Sequence, residues 1–228
     1  MKQIDKLQEI YLRLSTHLQE ERLERFASVV KDRTDYLHVV VEDIQYERNA
    51  GALIRTCDCF GVQQFSVIEQ KFSEKVANKI SRGSDKWVDV HVYDNSILEN
   101  TRVCIEDLKA KGYHVVATTP HQGATLLQDF KVTKPTAFLF GTEVLGLSET
   151  ALEMADESLE IPMFGFAESF NISVTAALVL NQTVHQLRKS NLPWKISPER
   201  TLELQIDWII ASLGDWGPGI YERILSDL

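Results

Sequence analysis

Arg55 lies in the segment Asn49-Ala-Gly-Ala-Leu-Ile-Arg-Thr-Cys-Asp-Cys-Phe-Gly61, where Ala50, Leu53, Ile54, Cys57 and Phe60 recur at helical spacing. Arg55 falls off that apolar stripe. Its neighbours one turn away, Gly51, Ala52 and Cys59, are small, so a ligand, another backbone or a second subunit could approach the guanidinium closely. An exposed arginine paired with Asp58 is the plain alternative. A second segment, Phe138-Leu-Phe-Gly141-Thr-Glu143-Val-Leu-Gly146-Leu-Ser148, reads as a strand entering a glycine turn, with Ser148 able to cap the next helix and Glu143 in the turn. A third runs Ile161-Pro-Met163-Phe-Gly-Phe-Ala-Glu-Ser169-Phe170-Asn171-Ile-Ser173. It presents three polar residues within five positions, more than one helix cap requires.

The elements that must position these segments follow from hydropathy. Tyr36 to Ile44 reads as a buried strand, and Asn49 to Phe60 as a helix capped by Asn49 and stopped at Gly61. Strands are expected at QQFSVIE, WVDVHVY, YHVVATT and PTAFLFG, with helices over Ser96 to Lys111 and Ser173 to Leu187. The alternation predicts an α/β fold, a parallel sheet covered by helices on both faces, with its crevice beyond the carboxyl ends of the strands. Amphipathic helices precede this core from Ile4 to about Lys31. Two more follow the Asn191-Leu-Pro-Trp break, near Glu199 to Leu213 and Ile220 to Leu225. The expected division is a helical extension at 1–34, a catalytic domain at 35–190 and a helical tail at 191–228.

The 228 residues are 44% hydrophobic and 25% charged, enough for one full core. No apolar run approaches the ~18 residues of a membrane span, and the polar start lacks a signal-peptide core, so a soluble, cytoplasmic protein is expected. Cys57, Cys59 and Cys104 read as buried reduced thiols, and no metal site is expected from them. A net charge of −9 excludes a globally basic surface, so any nucleic-acid contact must be local. Lys71, Lys75, Lys79, Arg82 and Lys86 against Glu74 and Asp85 form one such candidate. Arg22, Arg25, Lys31, Arg33 and Arg48 are others; the tail from Lys195 onward is acidic. A nicotinamide-type dehydrogenase is disfavoured, because no G-x-G-x-x-G follows a strand.

Taken together and in this order, the three segments resemble the motifs of the SpoU or TrmH family within the SPOUT methyltransferases, over about Tyr36 to Leu187. Gly83-Ser-Asp-Lys-Trp-Val is similar to a stretch of the tRNA guanosine 2'-O-methyltransferases that act on the D-loop. The resemblance implies a SPOUT fold with a C-terminal trefoil knot, a homodimer, and methylation of a tRNA guanosine ribose by S-adenosyl-L-methionine without a metal. It implies a cofactor pocket of Thr118, Gly141, Glu143, Ile161, Met163 and Phe170, with Phe170 where the family usually has leucine. It also implies catalytic roles for Arg55, Glu143, Ser169 and Asn171. RNA contacts are expected from the local cations and their neighbour, Arg48, Asn49, Lys79, Arg82 and Lys86. Arg55 is either a general base or a cation steadying the forming alkoxide. Ribosomal RNA as substrate, or a catalytically silent RNA-binding scaffold, are the alternatives.

Overall fold

The computed structural model describes residues 3–69, 86–95, 97, 99–120, 123–142 and 145–228, Glu47 by its backbone alone. The chain forms two compact units: Thr34–Trp194, and a terminal unit of Met1–Arg33 with Lys195–Leu228.

The larger unit is a parallel sheet of seven strands: β1 (Thr34–Glu42), β2 (Val62–Ile68), β3 (Asp89–Tyr93), β4 (His114–Thr118), β5 (Thr125–Leu126), β6 (Thr136–Phe140) and β7 (Glu157–Glu160), in the order β3-β2-β1-β6-β4-β7-β5. β1 is central, and its apolar residues are needed on both faces. Its alternate residues serve two cores, since successive side chains of a strand point to opposite faces. Leu37, Val39 and Val41 pack with the helices α3 (Glu47–Phe60) and α6 (Ile172–Lys189). Val40 packs on the other face with Cys104, Ile105 and Leu108 of α4 (Asn100–Ala110) and Ala151 of α5 (Glu149–Met154). Of the expected stripe of α3, Ala50, Leu53, Ile54 and Cys57 are buried in the core and Phe60 is partly buried against it.

Several local expectations shift. Helix α3 begins two residues before Asn49; Tyr46 is its N-cap and no side chain caps it, so Asn49 sits inside the first turn. Gly61 does stop the helix, at φ +75°, a left-handed conformation that costs glycine nothing. α4 begins at Asn100 rather than Ser96, because the Asn95 side chain accepts the Ile97 amide at 2.9 Å and holds a turn. Cys57 and Cys104 are buried thiols, but Cys59 is exposed.

The terminal unit holds α1 (Gln3–Ser15), α2 (Glu20–Val29), α7 (Pro198–Ser212) and α8 (Gly217–Ser226). α1 packs on α7 and α8. Phe26 meets Trp208 edge-on at 5.6 Å, and the Arg33 guanidinium lies 5.3 Å from the Trp208 ring. Arg33 is therefore buried, at 2% exposure, and is withdrawn as a phosphate contact. No helix among the described residues is long and apolar enough to cross a membrane.

Candidate active site

The segments leaving the carboxyl ends of β4, β6 and β7 converge on one cavity of about 310 Å³, the lower end of the ~300–1,000 Å³ range of small-molecule sites. Thr118, Gly141, Ile161, Met163, Ser169 and Phe170 all line it, so residues up to 52 positions apart in the chain meet at the sheet edge the strand pattern predicts. Leu145, Gly146, Leu147, Leu152 and Leu159 add to its wall, which is polar and apolar in nearly equal parts; the sequence did not single out the leucines, which there read as ordinary core. Thr118 Oγ1 donates to the Leu139 carbonyl at 2.8 Å, so its hydroxyl proton is committed to β6 and only its lone pairs face elsewhere.

The wall beyond β6 doubles back on itself. Thr142 and Gly146 exchange backbone hydrogen bonds of 3.0 Å in both directions, and the Leu145 amide donates to Thr142 Oγ1 at 2.9 Å. Gly141 has no alternative here, because a Cβ would land on the Gly146 carbonyl. Ser148 then caps α5, its hydroxyl accepting the Ala151 amide at 3.1 Å. The same Ser148 donates both its backbone N–H and its hydroxyl to the Glu42 carboxylate, each at 2.7 Å. Glu42 was missed by sequence reasoning; the available signal was an acid directly after the apolar run Val39-Val40-Val41 of the central strand.

At the third segment Asn171 caps α6, its Oδ1 accepting the Ser173 amide at 2.9 Å and the Ser173 hydroxyl at 2.5 Å. Capping thus accounts for Asn171 and Ser173 together, while Ser169 faces the cavity. Arg55 is exposed on α3 and lies outside the cavity lining. Among the described residues no hydrogen bond or ion pair engages it, so the alternative of a pairing with Asp58 is not seen there. Helix α3 packs against α6, whose Ile172 and Thr175 do line the cavity. Arg48 is exposed, with its guanidinium 5.2 Å from the Tyr46 ring, and Lys86 is exposed as well. Asn49 is half-buried. Glu143, Lys79 and Arg82 lie outside the described residues, as does all of 70–85. Among the described residues no group of three or more His, Cys, Asp or Glu could hold a metal ion.

The site suits a ligand with an apolar flat portion and a polar chain. Leucine, isoleucine, methionine and phenylalanine side chains offer surfaces for the first, and the hydroxyls of Thr118 and Ser169 offer partners for the second. Fold and site together define an α/β domain with a cavity fit for such a ligand at its carboxyl strand edge, and with an arginine on the neighbouring helix that nothing among the described residues engages.

Comparison with known proteins sharpens this class. The model of the SpoU rRNA Methylase family matches residues 36–181, and the chain belongs to that family. A tRNA (guanosine(18)-2'-O)-methyltransferase of Borreliella burgdorferi is 34% identical over 195 residues, covering 86% of this chain and 87% of that protein. The crystal structure of an A. aeolicus TrmH/SpoU tRNA modifying enzyme superposes with a TM-score of 0.73 at 28% identity, over 85% of this chain and 98% of that one. The SpoU methyltransferase AviRb from Streptomyces viridochromogenes, solved in complex with the cofactor AdoMet, is 26% identical with a TM-score of 0.57, over 72% of this chain and 65% of that one.

Proposed function

We propose that this chain transfers a methyl group from S-adenosyl-L-methionine to the ribose 2'-hydroxyl of a guanosine in the D-loop of tRNA. The observation that carries the reading is the convergence of three separate segments on one cavity at the carboxyl edge of the sheet. The guanosine and tRNA specificity is supported by the relative from Borreliella burgdorferi. Ribosomal RNA is the second reading, favoured by the description of the family model itself.

S-adenosyl-L-methionine supplies, when bound, an electrophilic sulfonium methyl. Thr118, Gly141, Glu143, Ile161, Met163 and Phe170 would hold it, with the Phe170 ring serving as apolar surface. Arg55 serves the substrate from α3, with no partner among the described residues, and either accepts the 2'-hydroxyl proton or steadies the alkoxide and an adjacent phosphate. The second role asks less of a guanidinium, whose pKa stays above ~12. Ser169, Asn171 and Glu143 shape the ribose site. Arg48, Asn49, Lys79, Arg82 and Lys86 hold RNA as a local cationic strip on an acidic molecule.

A homodimer and a trefoil knot belong to this reading as family traits. The dimer has support in an exposed apolar run: Phe164, Phe166 and Phe170 precede Val174 and Leu178, which stand one turn apart on α6. The cytoplasm, where tRNA is modified, is the proposed location.

The test is methyl transfer from labelled S-adenosyl-L-methionine to unmodified tRNA transcripts, with nucleoside analysis of the product. A 2'-O-methylguanosine product is expected. Arg55→Ala should lower the rate by about 10²–10⁴-fold while cofactor binding persists. Transfer to ribosomal RNA alone would favour the second reading, and no transfer to either would leave the silent scaffold.

A further inference from the structure

Glu42 closes β1 with a carboxylate that is 3% exposed and has three neutral donors around it. Thr101 Oγ1 at the start of α4 donates at 2.5 Å, and Ser148 donates its hydroxyl and its backbone N–H at 2.7 Å each. Both carboxylate oxygens are used, one on the two hydroxyls and the other on the amide. The Ser148 hydroxyl spends its proton on Glu42 and keeps a lone pair for the Ala151 amide, so one serine ties the end of β1 to the start of α5. Immediately before Ser148 stand Leu145, Gly146 and Leu147, all three in the cavity wall. That wall is pinned at one end by the Thr142–Gly146 backbone pair and at the other by Glu42.

We infer that Glu42 is a positioning residue of the methyl-donor pocket: through Ser148 it sets the conformation of residues 145–147 and thereby the affinity for S-adenosyl-L-methionine. The inference rests on the function proposed above for the ligand, and on geometry alone for the wall. A buried carboxylate is costly to desolvate and is retained where its donors are preorganised. Here the donors come from Thr101 of α4 and from Ser148, which joins the wall to α5, so the side chain ties the end of β1 to both at the sheet edge. An amide of the same shape could keep the amide bond through its oxygen while the two hydroxyls turn to accept from its nitrogen. Alanine could keep none of these bonds.

The experiment combines calorimetry and hydrogen exchange on the full chain. Glu42→Ala is expected to weaken S-adenosyl-L-methionine binding about tenfold or more, in line with the loss of hydrogen bonds to a charged group. Backbone amides of Leu145 to Ser148 should exchange faster, while β2 amides stay protected and tRNA affinity stays near wild type. Glu42→Gln should recover most of the cofactor affinity. Thr101→Val, which keeps side-chain shape and removes one donor, should weaken binding by about threefold and serves if the alanine variant does not fold. Unchanged exchange at Leu145 to Ser148, or loss of both ligands alongside exchange rising through the whole sheet, would overturn the inference. Wild-type protein that binds no S-adenosyl-L-methionine would instead overturn the proposed function, since the exchange readout needs no cofactor.

Discussion

Glu42, Arg55 and His38 are polar residues in or beside apolar runs, and burial sorts them into different tasks. Arg55 is exposed between small neighbours, and in the proposed function its guanidinium serves the substrate; Glu42 is buried and accepts from three donors. His38 is buried in the sheet, with Nε2 2.8 Å from Ser66 Oγ and its ring 5.4 Å from Tyr113. Burial lowers its pKa to about 3, helped by charge on His91 and Lys111 and opposed by Asp107. The native state therefore keeps the ring neutral, while the unfolded chain protonates it near pH 6.5. Between those limits the unfolded state binds more protons, so stability falls as pH drops below 6.5, by up to about 1.4 kcal/mol per unit. Asp107, whose carboxylate is held below its usual range by hydrogen bonds from Lys111 and Tyr93, contributes stability that is lost only in more acidic solution. Urea midpoints should thus decline between pH 7 and pH 5 in the wild type and much less in His38→Gln. Equal declines in both proteins would assign the effect elsewhere.

At the scale of elements, α6 shows how one residue can look catalytic and be structural, or be both. Asn171 ends the apolar third segment and caps the helix through Ser173. Asn171→Ala should cost about 0.5–2 kcal/mol from loss of the cap alone, read as a lower melting temperature. Asn171→Asp keeps a capping oxygen and should melt close to wild type. If the amide also serves the ribose site, the aspartate variant should still lose methyl transfer by about tenfold or more, because it presents a charge where a donor is needed. An aspartate variant with full activity would reduce Asn171 to its cap. The strands and helices with long, regular patterns were legible: β1, β2, β4, β6, α3, α6 and the terminal helices lie close to their expected places. The two-residue β5 and the four-residue β7 carry too short a pattern to be read, and both owe their order to neighbours in the sheet. The cap of α3 was misassigned because Asn49 has a capping side chain, whereas the chain enters the helix earlier, at Tyr46, after a left-handed Asp43 at φ +52°.

For the whole molecule, the exposed run from Phe164 to Leu178 is the feature most at odds with an isolated chain. Val174 is 44% and Leu178 38% exposed, apolar side chains one turn apart on the same helix face. If a second copy covers them, the native protein should have twice the chain mass of 26.0 kDa in light scattering, and Val174→Glu with Leu178→Glu should reduce it to a single chain. A wild-type monomer would remove the dimer from the proposed function.

The sequence by itself determined the α/β class, the family and two of the segments that line the cavity, those following β6 and β7. Those rest on local signals: hydropathic period, glycine turns and short motifs within a few residues of one another. Tertiary structure alone decided that Glu42 holds Ser148 across 106 positions, that Arg33 is buried against Trp208 rather than offered to RNA, and that Arg55 has no internal partner among the described residues. A residue's type sets which bonds it can make. Which of them it makes depends on what the fold brings within three ångströms and on whether water is still there to compete.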